Sequence, residues 1–117
     1  MTLEGTLEAA VSTSGRGPGT VTFEFAVTNA GTAPIELQFS DAAKAEFTVE
    51  DEGREVWRYT EGRVFAQVIS ADRLAPGETT TYGAEWETPK PGEYTAVAEI
   101  RAQEATCEAR TSFVVPE

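Results

Sequence analysis

Histidine is absent from this 117-residue chain. With it go the Ser-His and Cys-His nucleophile pairs, the commonest metal ligand and the usual proton shuttle. Cysteine occurs once, as Cys107, which excludes an internal disulfide and a cysteine-built metal site. Lying in an alternating segment, Cys107 is expected to be a buried small hydrophobe. Lysine is scarce: Lys44 and Lys90 stand beside seven arginines, and these 9 basic residues meet 20 acidic ones for a net charge of −11. That balance argues against nucleic acid and anionic membrane as partners, because phosphate contacts need a positive face. No run approaches the roughly 18 apolar residues of a membrane helix. Nor does a glycine-rich loop lead from a strand into a helix as phosphate binding would require. Glu50, Asp51, Glu52 and Glu55 cluster, but not at the spacing of an EF-hand loop. No metal, no cofactor and no catalytic activity are expected.

The acidic excess has two readings. One is a charged surface that keeps a domain soluble. The sharper one is adaptation to molar salt, where the Debye length falls to about 3 Å and carboxylates cease to repel one another; 17 glutamates with few lysines fit it, although only 3 aspartates are present. Residues 1–5 contain no basic segment followed by an apolar one, so no signal peptide is read and a cytoplasmic location is expected. The length fits one domain, residues 1–117, which would bury roughly two-thirds of its unfolded surface.

Period-two alternation dominates the chain. Leu3, Gly5, Leu7, Ala9 and Val11 share one face of a strand; Val21, Phe23, Phe25 and Val27 share another; Ile35, Leu37 and Phe39 follow. Further sets are Tyr82, Ala84 and Trp86, then Tyr94, Ala96, Ala98 and Ile100 with Val97 outward, and last Cys107, Ala109, Thr111, Phe113 and Val115. Residues 12–19, with three glycines and a proline, read as a loop that cannot join a ladder. Residues 40–44 read as a single helical turn capped by Ser40 or Asp41. Residues 70–74 read as a short edge strand ended by the turn Ala75-Pro76-Gly77-Glu78. The sum is an all-β, immunoglobulin-like antiparallel β-sandwich of about eight or nine strands, without the Cys…Trp…Cys pattern of antibody domains.

The densest chemistry lies in residues 45–69. Phe47 and Val49 alternate, Asp51-Glu52-Gly53 supplies a turn, and Glu55-Val56-Trp57-Arg58-Tyr59 returns as the second arm of a hairpin. Residues 59–63 interrupt the pattern, and a third apolar segment starts at Val64. Aromatic side chains next to arginine suit a core corner and a recognition surface equally.

A succession of motifs spans residues 38–100: Phe39-Ser40, Glu46-Phe47-x-Val49-x-Asp51, Gly53-x-Glu55-Val56-Trp57-Arg58-Tyr59, Gly62-x-x-Phe65-x-Gln67 and Leu74-x-Pro76-Gly77-Glu78, then Trp86 and Pro91-Gly92-x-Tyr94. This order resembles the BsuPI family, the intracellular proteinase inhibitor domain associated with cytoplasmic serine proteases of the subtilisin type. Two departures stand out: Asp41-Ala42-Ala43 replaces a Ser-Gly-Gln type tripeptide, and Tyr59 stands where the family often has a second tryptophan. The resemblance implies a protein that binds a serine protease without covalent chemistry, and it transfers no reactive-site residue; a monomer is expected.

An inhibitor of this kind needs a rigid extended segment to fill a protease cleft. Residues 59–63 and the loop at 12–19 are the two candidates. The first is preferred, because Trp57 and Phe65 flank it and could pin it. The expected partner-binding set is therefore Trp57, Arg58, Tyr59, Thr60, Glu61, Gly62, Arg63 and Phe65. Against this, Trp57 and Phe65 could be plain core residues and Arg58 could pair with a neighbouring glutamate. A non-inhibitory immunoglobulin-like module for protein–protein interaction is the alternative function, since fold alone does not separate the two.

Overall fold

Alternating side chains build two layers that face each other. The computed structural model describes residues 2–14, 17–87, 89–103 and 105–116. These form nine strands: β1 (Leu3–Ser14), β2 (Gly17–Asn29), β3 (Ile35–Phe39), β4 (Ala45–Asp51), β5 (Arg54–Arg58), β6 (Ser70–Leu74), β7 (Thr79–Glu87), β8 (Gly92–Ile100) and β9 (Glu108–Val115). One sheet has the order β1-β2-β7, the facing sheet β5-β4-β8-β9, and β3 pairs with β6 as a ribbon of two. Every pairing is antiparallel. Among the described residues no helix is long and apolar enough to cross a membrane.

The core lies where the inward rows meet. Val21, Phe23, Phe25 and Val27 of β2 are completely buried, and full burial of each such side chain stabilises by about 1.5–3 kcal/mol. Phe23 joins the layers: its ring lies 6.1 Å from Phe47 of β4, 5.9 Å from Trp57 of β5 and 5.6 Å from Phe113 of β9. Val97 faces outward by parity yet is buried, flanked on either side by its cross-strand neighbours Thr48 and Arg110.

Other expectations also need correction. The ladder of β1 and β2 runs through the region read as a loop, pairing Ser12 with Thr20, Thr13 with Pro18 and Ser14 with Gly17. A register shift after Ser12 leaves Gly19 as the extra residue, and such a bulge admits proline into a ladder. Residues 15 and 16, in the middle of that former loop, lie outside the described residues. Residues 40–44 form a bend instead of a helical turn. There the Ala43 N–H donates to Asp41 Oδ1 at 2.9 Å, a side-chain bond that offers the backbone an alternative to the helix. Cys107 is half-buried, not fully buried, and burial pushes its thiol up.

Asn29, at the end of β2, is a completely buried polar residue. Its Nδ2 donates to the carbonyls of Ala33 (2.9 Å) and Leu74 (3.0 Å), and its Oδ1 accepts from the Gly31 N–H (2.9 Å), which ties three chain segments together. Asn29→Ala is expected to destabilise the fold by about 1–3 kcal/mol, because it orphans buried backbone groups. Urea denaturation measures this, and a loss below about 0.5 kcal/mol, the range of a neutral surface change, would contradict it.

Candidate functional site

The hairpin of β4 and β5 sets up the site. Its turn places Glu52 at φ 52° and Gly53 at φ 82°, the pair of positive values that a two-residue type I′ turn demands. A register shift follows: Glu50 pairs with Glu55 but Val49 pairs with Trp57, so Val56 is an extra, bulged residue. The bulge re-aims the strand. Trp57 turns inward, stacking on Phe23 at 5.9 Å and on Trp86 at 6.1 Å, while Arg58 turns outward.

Beyond β5 the ladder gains one more rung, as the Tyr59 N–H donates to the Phe47 carbonyl at 2.9 Å. The chain then coils through two overlapping turns, Glu61 N–H to Arg58 carbonyl (3.2 Å) and Arg63 N–H to Thr60 carbonyl (3.4 Å). Gly62 sits at φ 75° between them, a left-handed position that a side chain would strain. Residues 63–69 carry no regular structure. The third apolar segment expected at Val64 is therefore not a strand.

Glu46 anchors the near end of this connection. Its carboxylate, 13% exposed, accepts from the Phe47 N–H (3.0 Å), the Thr60 N–H (3.3 Å) and the Thr60 hydroxyl. Arg58 Nη1 lies 3.2 Å from the same carboxylate, and Arg58 Nη2 and Nε donate to Glu55 Oε1 at 2.6 and 3.0 Å. The Glu55 and Glu46 carboxylates raise the pKa of the Arg58 guanidinium further above its ordinary value. The far end is held by Ala66, whose carbonyl accepts from the Ala42 N–H (2.9 Å) and the Val68 N–H (3.0 Å). The bend at residues 41–44 that offers Ala42 is itself fixed, by Arg101 Nη1 donating to Asp41 Oδ1 (2.9 Å) and to the Ala43 carbonyl (2.8 Å).

Tyr59 is the floor between the two anchors. Its ring meets Phe47 edge-on at 5.9 Å and Phe65 at 5.6 Å, and the Arg63 guanidinium lies 4.8 Å above it. Val64, between Arg63 and Phe65, is 100% exposed; Val68 and Ile69 are exposed at 54% and 87%. The hollow beside Tyr59, lined also by Lys44, Phe47 and Tyr82, holds about 240 Å³, less than the roughly 300–1,000 Å³ of small-molecule pockets. The arrangement projects a segment; it does not enclose a substrate.

The expected set thus divides by position. Trp57 and Tyr59 are packed against the core, Arg58 is held in ion pairs, and Thr60 is bound to Glu46. Glu61, Gly62 and Arg63 are exposed, and Phe65 is half-buried on Tyr59. The expected set did not include Glu46, which holds Thr60, or the exposed Val64. Glu46 stood in a motif of the resemblance, but its anchoring role was not visible there, since its partner Thr60 lies 14 residues away. Val64 is marked out by its full exposure between two residues that rest on Tyr59, which only the structure reveals.

The family model described as BsuPI, intracellular proteinase inhibitor, matches residues 6–105. No curated protein matches the chain. Among solved structures, the CARDB domain of a Pyrococcus furiosus protein is similar over 97% of this chain and 94% of its own, at 15% identity and a TM-score of 0.50. The sporulation control protein Spo0M from Bacillus subtilis is similar over 97% of this chain and 49% of its own, at 13% identity and a TM-score of 0.52. A β-glucosidase from Erythrobacter marinus, at 14% identity and a TM-score of 0.49, aligns with 95% of this chain, which spans 15% of that enzyme's length. The first two likenesses show the fold, an immunoglobulin-like sandwich.

Proposed function

Because the chain belongs to the BsuPI family of intracellular proteinase inhibitors, we propose that it binds a serine protease of the subtilisin type non-covalently, with residues 59–65 as the occluding segment. The observation that supports this reading is the double anchoring of a projecting connection. Glu46 holds it at Thr60 and Ala42 holds it at Ala66, so the exposed residues between them are tied down at both ends. Preorganisation of this kind lowers the entropic cost of association, about 0.5–1.5 kcal/mol for each side chain that would otherwise have to be immobilised. A stiffened segment usually relies on a disulfide; here the sandwich beneath takes that part.

In this reading the protein is a monomeric, non-catalytic binder in the cytoplasm, and its acidic surface suits molar salt. Hydrogen exchange with an inactivated subtilisin-type protease tests the assignment. Amides of residues 59–66 are expected to gain protection in the complex, while residues 12–19 do not. Protection confined to residues 12–19 would overturn it. The second reading, a non-inhibitory interaction module, draws on the exposed Val68 and Ile69, which extend the apolar surface beyond residues 59–65. Recovery of an unrelated, non-protease partner from cell extract, together with no protease binding, favours that module.

A further inference from the structure

An inhibitor that occludes a protease cleft commits one side chain to the primary specificity pocket, and the support of this connection selects which one. The inference rests on the inhibitor reading above. Arg63 and Phe65 both lie against the ring of Tyr59, at 4.8 and 5.6 Å. Val64 is left pointing outward and is 100% exposed. The backbone around it is held on both sides, by Arg63 N–H donating to the Thr60 carbonyl and Ala42 N–H donating to the Ala66 carbonyl. Arg63 is the competing choice, but its guanidinium already has an aromatic face of its own protein to rest on, and leaving it would forfeit that contact. Phe65 would have to abandon its packing on Tyr59.

We infer that Val64 is the residue that enters the protease's primary specificity pocket, and that this pocket is apolar with no carboxylate at its base. A branched aliphatic side chain gains affinity by leaving water for an apolar wall, roughly 10- to 100-fold for a fully buried valine. A pocket built around a carboxylate to receive arginine or lysine would instead be left with an unpaired buried charge.

The test titrates the intact protein against two enzymes, a subtilisin-type protease with an apolar specificity pocket and a trypsin-type protease with a carboxylate at the pocket base. Variants are Val64→Ala, Val64→Arg and Arg63→Ala, with Val114→Ala as control on the exposed face of β9. Circular dichroism checks that each is folded. Wild type is expected to inhibit the apolar-pocket enzyme. Val64→Ala should weaken this at least tenfold, Val64→Arg should abolish it and gain inhibition of the acidic-pocket enzyme, and Arg63→Ala should lose less than Val64→Ala. The control should match wild type. Inhibition by wild type that is indifferent to Val64, or that depends on Arg63 and the acidic-pocket enzyme, overturns the assignment of Val64 while leaving the inhibitor reading intact. Inhibition of neither enzyme by a folded protein overturns both.

Discussion

Phe23→Ala is expected to destabilise the protein by about 3–5 kcal/mol, the range for removing a buried phenylalanine and leaving a cavity. Phe23 is completely buried, and its ring touches one residue from each of three strands of the facing sheet: Phe47, Trp57 and Phe113. Collapse around the vacancy would have to move both layers together, so relaxation offers little relief. A domain of this size holds about 5–15 kcal/mol in total, and the variant should therefore unfold at a much lower denaturant concentration. Val114→Ala, on the exposed side of β9, should stay within about 0.5 kcal/mol of wild type. Equilibrium unfolding followed by tryptophan emission reads both changes, since Trp57 stacks directly on Phe23. A loss below about 1 kcal/mol for Phe23→Ala would mean that the two sheets do not meet through this ring, because that is less than even a typical Ile→Val change can cost.

The second large effect concerns Glu46. Glu46→Ala is expected to loosen the connection and to weaken the fold by a comparable amount. Its carboxylate gathers the Thr60 N–H, the Thr60 hydroxyl and the Arg58 guanidinium at one point. Removing it frees these two donors, the Phe47 N–H and one cation. The loss in global stability should be about 1–3 kcal/mol. The loss in protease inhibition should be about 10- to 100-fold, because each 1.4 kcal/mol of ordering that must now accompany binding is a factor of ten. Glu46→Gln keeps acceptor oxygen for Thr60 but not the charge for Arg58, and should fall between the two. Thr60→Ala removes the hydroxyl bond alone and should do less. Amide exchange at residues 59–63, measured beside inhibition, separates order from contact: the variants should rank alike in both. Undiminished protection in Glu46→Ala would show that the segment is held by something other than this carboxylate.

Much of the scaffold was legible because strands announce themselves by parity. Val21, Phe23, Phe25 and Val27 on one side and Tyr94, Ala96, Ala98 and Ile100 on the other are buried as alternation requires. The turn at Glu52 and Gly53 was legible because glycine favours positive φ, and glutamate here follows it into the type I′ geometry. What escaped depends on partners distant in sequence or on single extra residues. The bulge at Val56 shifts Trp57 to the core face, and no local pattern distinguishes it from an unbroken strand. Residues 12–19 carry a composition that favours loops, yet the ladder of β1 and β2 takes in 12–14 and 17–19 by admitting a bulge. Residues 41–44 lost their helical turn to one carboxylate bond from Asp41 and to Arg101, a contact 60 residues away. Of the candidate site, the aromatic and arginine content singled out residues 57–65 as one set, with Trp57 and Arg58 on the same footing as Arg63. The structure divides them into support and projection. Burial decides that division, and burial is a property of the assembled sandwich.

The inhibitor reading stands most directly on an active-site titration of a subtilisin-type serine protease in molar salt, with circular dichroism in the same buffer as the check on folding. Residual activity should fall linearly to zero near equimolar protein. Replacing Glu61, Arg63 and Val64 together by serine, all exposed positions, should weaken inhibition by at least about tenfold without changing the spectrum. Substitutions in residues 12–19 should leave the titration as it is. Full protease activity in the presence of folded protein would contradict the proposed function, and inhibition that survives the triple substitution would contradict the proposed site.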